Sequence, residues 1–375
     1  MSFTGKASYS AGDTLPELVE DVADLVSIVS PHETPLLDHL GDAKRPAFST
    51  VHEWVEDTLL PNTDLVNQSS FTPNATDATS VTVDNGARFQ PGDLVRPGES
   101  REVILVTGVS SNTLTVVRRY GGTPGSALTD DLRLTILGNA ALEGADAAQA
   151  RFTNRARRVN YTQIFASTVH VSGTMQSVRA YGVQDEADFQ KQERLRELLR
   201  DLENTVVNGT APGSAQVGSQ TGRRSLNGIL RSITTNQFTP GAGGMPPGAG
   251  VGLNELTESL LNAAMRAVWD QSAGTLDTIL VGGAQKRRLN ALLSSVRRYD
   301  SGEGTFRDAL AVYESDFGVC RVVLSRYVPA DTVIFLDSSR VEVLPLSGRS
   351  FHYKPLAVNG DSVRGQVLGE YTLEF

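Results

Sequence analysis

Between Val183 and Val207 the chain places Phe189, Leu195, Leu198, Leu199, Leu202 and Val206 on one stripe of a helix. Glu193 with Arg196, Glu197 with Arg200 and Arg200 with Glu203 are opposite charges three apart, an arrangement that supports a helix. Asn208-Gly209 follows as stop chemistry. At 1.5 Å per residue the predicted helix runs roughly 36 Å, long enough to brace a whole subunit. The chain has 375 residues, more than the ~250 to 300 that one core usually sustains, so at least two packed units are expected.

With 39% hydrophobic and 21% charged residues the composition is that of a folded globular protein. Cys320 is alone, which excludes an intrachain disulfide and a cysteine-built zinc site and points to folding inside a cell. The residues after Met1, Ser-Phe-Thr-Gly-Lys-Ala-Ser-Tyr-Ser, lack the apolar run of a signal peptide, and no stretch offers the ~20 apolar residues of a membrane span. A net charge of -9 opposes wrapping onto nucleic acid.

That charge is unevenly spread. Residues 1–42 hold the eight acids Asp13, Glu17, Glu20, Asp21, Asp24, Glu33, Asp38 and Asp42 against Lys6, a net of -7, which leaves -2 for the other 333 residues. The plain reading is a solvated acidic leader. The sharper one is an arm that docks on a basic surface of another subunit. Arg151, Arg155, Arg157 and Arg158, four bases in eight residues with no acid among them, offer such a surface.

Leu15, Leu18, Val22, Leu25 and Val29 form a weak helical stripe that Pro31 and Pro35 break. Residues 46–66, with Phe48, Trp54 and Leu59, read as a long excursion away from a core. From about 71 to 139 the runs Ser80–Asp84, Val103–Val106, Leu114–Val117 and Leu132–Ile136 alternate with turn signals such as Asp84-Asn-Gly86 and Pro97-Gly98. This texture predicts a small all-β barrel or sandwich. Residues 160–180 are again extended. Residues 210–225 and 239–252 are Gly/Ser/Pro-rich loops. From 253 to 345 helical stripes (Leu253 to Val268, Leu289 to Val296) alternate with strand-like runs (Thr278–Val281, Arg321–Leu324, Thr332–Leu336, Val341–Leu344), which predicts an α/β or α+β unit. The tail, Val363 to Phe375, reads as extended.

No catalytic or ligand constellation survives inspection. His32-Glu33 opens an HExxH pattern, but position 36 is Leu, and Pro31 and Pro35 argue against the helix that would aim two histidines at a metal. Gly348-Arg-Ser-Phe-His352 lacks the second glycine of a nucleophile elbow. Gly241 to Gly252 has no Gly-Lys-Ser/Thr, and two of its residues are prolines without an N–H for phosphate. The Gly282-Gly283 junction, with Lys286 nearby, offers an anion a helix N-terminus, although tight packing explains such junctions more simply. The five histidines show no paired metal spacing, and the basic run has only Phe152 to stack a base. No cofactor is expected.

The order of these features, together with Glu33-Thr-Pro-Leu-Leu-Asp-His-Leu-Gly41, Glu53-Trp-Val-Glu-Asp57, Asn160-Tyr-Thr-Gln-Ile-Phe165, Val171-Ser-Gly-Thr174, Ser225-Leu-Asn-Gly-Ile-Leu230 and Gly369-Glu-Tyr-Thr-Leu-Glu374, resembles the major capsid proteins of tailed bacteriophages with the Hong Kong 97 fold. The likeness spans essentially the whole chain and is to the variant with a domain inserted in its extension loop. It implies an α+β fold: an N-terminal arm at 1–45, the two legs and return of the extension loop at 46–70 and 140–180, and an inserted β-domain at 71–139. A peripheral domain with the long spine helix would take 181–225 and 340–375, and an axial domain 226–339.

It further implies a non-enzymatic, virion-located protein, assembled in the bacterial host, that forms hexamers and pentamers of an icosahedral head around double-stranded DNA. Expected partners are further copies, a portal, and possible scaffolding or decoration proteins, with only non-specific DNA contact and no membrane. Asp13, Glu17, Glu20, Asp21, Asp24, Trp54, Arg151, Arg155, Arg157 and Arg158 are the candidate subunit-interface residues. The alternative is an intracellular ligand-binding module or enzyme using the β-domain and the Gly282-Gly283 junction. Negative-stain microscopy discriminates, since only the first reading produces particles.

Overall fold

The computed structural model describes residues 32–144, 146, 150–178, 183, 185–212, 218–219, 221–239, 255–272, 274–292, 312–357 and 360–375. The predicted helix at 15–29, the glycine-rich run at 241–252 and the acids Asp13, Glu17, Glu20, Asp21 and Asp24 lie outside them. The first half of the chain contributes α1 (Pro35–Leu40), β1 (Val51–Glu56), β2 (Thr63–Leu65), β3 (Ser80–Thr82), β4 (Asp93–Pro97), β5 (Ile104–Ser110), β6 (Thr113–Val117), β7 (Arg133–Asn139), β8 (Ala156–Tyr161), β9 (Gln163–Ser172) and α2 (Gly173–Ser177). The second contributes α3 (Glu186–Asn208), α4 (Ile229–Ser232), α5 (Glu258–Gln271), β10 (Thr278–Val281), α6 (Gly283–Leu292), β11 (Val312–Ser315), β12 (Gly318–Leu324), β13 (Val333–Leu336), β14 (Glu342–Pro345), β15 (His352–Pro355) and β16 (Ser362–Glu374). Two compact units result, one made of the chain up to Trp54 and from Val159 onward, the other of Val55–Arg158. The division falls within β1 and β8, which pair with each other.

In the larger unit the long helix forms as its stripe predicts. Asp185 caps α3 by accepting from the N–H groups of Ala187 (2.8 Å) and Asp188 (3.2 Å), satisfying donors that the helix leaves orphaned. Its 23 residues make a rod about 34 Å long. Leu198, Leu202 and Val206 are buried in a cluster that runs from Phe165, Val169 and Val171 on β9 to Leu280, Val323 and Ile334 on a second sheet. The first sheet has β16 at its centre: β9 lies antiparallel along one side over ten register pairs, and β14 and β15 pair with it as well. The extended tail of the sequence is thus the middle strand of a sheet. The second sheet has the order β11-β12-β10-β13, with β10 parallel to β12 and antiparallel to β13. Leu261 and Met265 of α5 and Leu289 of α6 cover Ile279 and Val281 of β10, and β11 is a strand that the sequence pattern did not announce.

Two expectations need correction. Pro35 does not forbid a helix; it starts one, because proline at the first helical position forfeits only an N–H that would be orphaned anyway. Glu203 does not pair with Arg200 on the solvated face. Its side chain is wholly buried, and Arg200 instead lies 3.5 Å from Asp201. Of the three predicted helix pairs, Glu193 with Arg196 forms at 2.7 Å, and Glu197 is held by Arg194 at 2.8 Å.

The smaller unit is an antiparallel sheet of order β2-β7-β4-β5-β6-β3. Its two ends meet, since Val66 and Val83 form an antiparallel bridge, Asn67 N donates to Thr82 O at 2.9 Å, and Asp84 N donates to Leu65 O at 3.1 Å. The sheet is therefore a closed barrel, which leaves no strand edge open. Val66, Val83, Val95, Ile104, Val106, Leu114 and Leu134 fill it. Alternation of buried and exposed residues along β4, β5 and β6 follows from the two-residue period of a strand.

Candidate functional site

Three of the motifs that carry the family likeness meet at one place, where the excursion leaves and rejoins the larger unit. The return leg is fixed by buried polar groups. Asn160 is fully buried and spends its whole amide: Nδ2 donates to the carbonyls of Leu373 (2.7 Å) and Asn227 (3.1 Å), and Oδ1 accepts from the N–H of Asn227 (2.8 Å) and of Tyr161 (2.9 Å). Two residues on, Thr162 Oγ1 donates to Glu370 Oε1 at 2.6 Å. Glu370, on β16 and 2% exposed, also receives Arg224 Nη2 at 2.6 Å and Arg349 Nε at 2.8 Å. Gln163 Oε1 accepts from Leu226 N at 3.2 Å.

Gly228 completes the junction. It packs on the end of α3 so closely that a Cβ there would lie 2.5 Å from Gly209 N and 2.8 Å from Thr205 O. Only glycine allows that approach.

The outgoing leg is held at the end of β16. Arg45 Nη2 donates to both oxygens of Glu374 at 2.6 Å, and His52 Nε2 lies 2.6 Å from Glu374 Oε2. Trp54 meets the Phe375 ring edge-on at 5.4 Å and lies 5.9 Å from His52. The sequence marked Trp54 as an interface candidate; its aromatic contacts are to its own subunit.

A third carboxylate ties the segment before this leg to the core. Glu203 accepts from Leu36 N (3.1 and 3.2 Å) and Leu37 N (3.1 Å) at the start of α1, and from Ser325 Oγ at 3.1 Å. Thr34, at the N-cap of α1, makes no side-chain cap bond, so Glu203 does the capping from another helix. Burial pushes the Glu203 carboxyl above the ordinary value, against the three donors that favour the anion, and nearby Asp38 raises it further. Because the folded state then binds its proton more tightly than the unfolded one, this site's contribution to stability declines as pH rises from the ordinary glutamate range to the raised value. Glu203→Gln cannot titrate. Its stability relative to wild type should therefore improve as pH rises from the ordinary glutamate range through the raised value, read in denaturant titrations; a pH-independent difference would refute the assignment. On the other face of α1, His39 Nε2 lies 2.7 Å from Thr278 Oγ1, and burial followed by Arg321 lowers its pKa, against Asp277.

The four arginines stay on the surface. Arg151 Nη1 donates to Arg88 O at 2.9 Å, Arg158 Nε bonds Glu56 Oε2 at 2.8 Å, and Arg155 and Arg157 are exposed. The Gly282-Gly283 junction does open α6, but a Cβ on Gly282 would lie 2.9 Å from Val328 O, so packing accounts for that glycine. Lys286 has its pKa lowered by burial. Among the described residues no group of His, Cys, Asp and Glu has metal-holding geometry, and no helix is long and apolar enough to cross a membrane.

Glu203 and Glu370 escaped the sequence reading, although one signal was present. Glu203 follows Leu199 by four residues and so falls on the apolar stripe of α3, where a charge requires a partner. Glu370 carried no comparable mark.

The arrangement holds a chain segment in place: Glu203 and Glu370 are each occupied by donors from their own fold. A fold in which a long helix and two sheets carry an extended excursion is that of a capsid shell protein. The chain is similar to the capsid subunit of a native GTA particle (TM-score 0.53, 9% identity, 98% of this chain and 95% of that one) and of an empty GTA particle (TM-score 0.51, 8% identity, 98% and 94%), which establishes a Hong Kong 97-type fold. No curated protein matches it. Residues 3–375 match the model of the SU10 major capsid protein family, and the chain belongs to that family. It is a shell-forming capsid protein that associates with copies of itself and resides in the virion capsid.

Proposed function

We propose that the shell is held together by the two legs of the excursion and the acidic arm, laid over neighbouring copies. On this reading 46–70 and 140–180 are the extension loop and its return, and 71–139 is the insertion into it, whose barrel also takes β2 and Val66 from the end of the outgoing leg; 181–225 and 340–375 form the peripheral domain, and 226–339 the axial domain. The observation that supports it is where apolar surface is left uncovered. Among the described residues the four most exposed large hydrophobic side chains are Leu59 (93%), Phe48 (82%), Leu142 (81%) and Phe152 (80%), and all four belong to the legs. Large apolar side chains left uncovered on one kind of segment mark that segment as an association surface. Each contact can be weak because a closed shell multiplies it.

The acidic residues Asp13, Glu17, Glu20, Asp21 and Asp24 would pair with the exposed arginines of another copy. Reversing Arg155, Arg157 and Arg158 to Glu should cut particle yield at low salt and abolish its salt dependence, read by sedimentation and negative-stain microscopy. Unchanged yield and salt response would remove the pairing. Such a protein needs no catalytic step, and a body of charge near zero does not trap DNA against the shell wall.

A further inference from the structure

We infer that the end of β16 holds the outgoing leg at its root, through a clamp that loosens without breaking the β9–β16 ladder. Both legs lean on the same strand, but by different means. The return leg continues into β9, which is bonded to β16 through a backbone ladder from Gln163↔Tyr371 to Ser172↔Ser362, and its polar groups, Asn160, Thr162 and Glu370, are buried and satisfied. Moving it would break the ladder. The outgoing strand β1 has β8 as its ladder partner and touches β16 through side chains. Those contacts are Glu374 with Arg45 and His52, and Phe375 with Trp54.

The two attachments also differ in their access to water. The Glu370 side chain is 3% exposed, whereas Glu374 is 18% and Arg45 58% exposed. Water and salt therefore reach the Glu374 carboxylate of the outgoing clamp more readily than the Glu370 carboxylate of the return anchor. Glu374 is a positioning residue: a small number of side-chain bonds holds the root of the β1–β8 pair while β9, laddered to β16, serves as the fixed pivot. Two backbone contacts, Ala47 with Pro345 O and Ser347 N (both 2.8 Å) and Thr50 O with Thr162 N (2.9 Å), fix the chain just before β1, so the adjustable part begins at β1.

The purpose of the clamp rests on the overlay of legs on neighbours; its existence does not, so the two are separable by experiment. Amide hydrogen exchange of the full-length chain would be followed over residues 47–56 and 160–172, with thermal melting and electron microscopy alongside. Glu374→Gln should speed exchange in 51–56 about tenfold, the factor expected for loss of a charge-assisted bond to a half-buried carboxylate. Residues 163–172 should stay within about twofold, and assembled particles should become mixed in size. Arg45→Ala, at an exposed position that tolerates change, should give a smaller rise of about threefold, and Arg45→Lys should restore protection. Unchanged exchange in 51–56, or an equal rise in 163–172, would overturn the clamp. If exchange rises as expected while particles remain uniform, the clamp stands and its role in assembly falls.

Discussion

Arg118→Leu unfolds the barrel at denaturant concentrations or temperatures that leave the wild-type barrel intact, with a loss of about 3–5 kcal/mol in that unit. Arg118 and Glu102 form a two-pronged pair, Nε to Oε1 at 2.8 Å and Nη2 to Oε2 at 2.7 Å, with side chains 6% and 0% exposed. Ser126 N (2.7 Å), Ser126 Oγ (2.9 Å) and Arg119 N (3.2 Å) complete the carboxylate, while Arg118 also donates to Ala75 O at 3.0 Å and to Ser126 O. The pair thus ties β6 to the loops before β3 and before β7. Removing the guanidinium leaves a buried anion with its desolvation cost uncompensated, which is the expensive way to break a buried pair.

The pH response identifies the cause. Burial alone would raise the Glu102 pKa, but the Arg118 and Ser126 bonds outweigh it and hold the carboxyl below the ordinary glutamate value. Wild-type stability from this site is therefore complete above that ordinary value and is lost as pH falls through the lowered one. In Arg118→Leu burial remains with only the Ser126 bonds and the Arg119 N–H to offset it, so its deficit against wild type should shrink on acidification. Glu102→Leu combined with Arg118→Leu should recover much of the loss, because replacing both members removes the stranded charge. Proteolysis resistance of residues 55–158 against denaturant reads all three proteins, and a double variant as unstable as the single one would refute this account.

How far the sequence could be read depended on whether the information was local. The α3 helix, the β10, β12 and β13 runs and the β-texture between 80 and 136 are periodic patterns, and they appear within a few residues of their expected places. Strand β4 was missed because Asp93, Arg96 and Pro97 oppose strand propensity, and the barrel accommodates them where Asp93 Oδ2 accepts from Gln90 N at 2.7 Å and Oδ1 from Asn139 Nδ2 at 2.8 Å. Barrel closure through Val66 and Val83 joins β2 to β3, two short runs with little signal of their own. The loop root was visible only as separate motifs. Nothing in Asn160-Tyr-Thr, Ser225-Leu-Asn-Gly or Gly369-Glu-Tyr-Thr indicates that they touch, because contacts between residues 67 and 213 positions apart are decided by tertiary packing. The convergence also explains why these segments are recognisable at all. Each supplies groups that the other two cannot replace.

Glu370→Leu should be the most damaging single change at that root, costing about 3–4 kcal/mol and leaving no normal shells. The carboxylate is the shared acceptor of Thr162, Arg224 and Arg349. Leucine would leave Thr162, itself fully buried, without this acceptor, and would take the 2.6 Å carboxylate bond from Arg224, whose side chain is 17% exposed. Arg349 is 41% exposed and can turn to water, which places the cost at the lower end of the range for breaking buried pairs. Glu370→Gln keeps one acceptor for Thr162 and a similar volume, so its cost should be smaller, about 1–2 kcal/mol. Such a variant should still assemble.

The two substitutions separate stability from assembly. If chemical denaturation of the larger unit shows the ranked losses while particle yield tracks them, the root acts by holding the return leg in place. A Glu370→Leu protein that melts like wild type would mean that the two arginines find water without strain and that this carboxylate is dispensable to the fold.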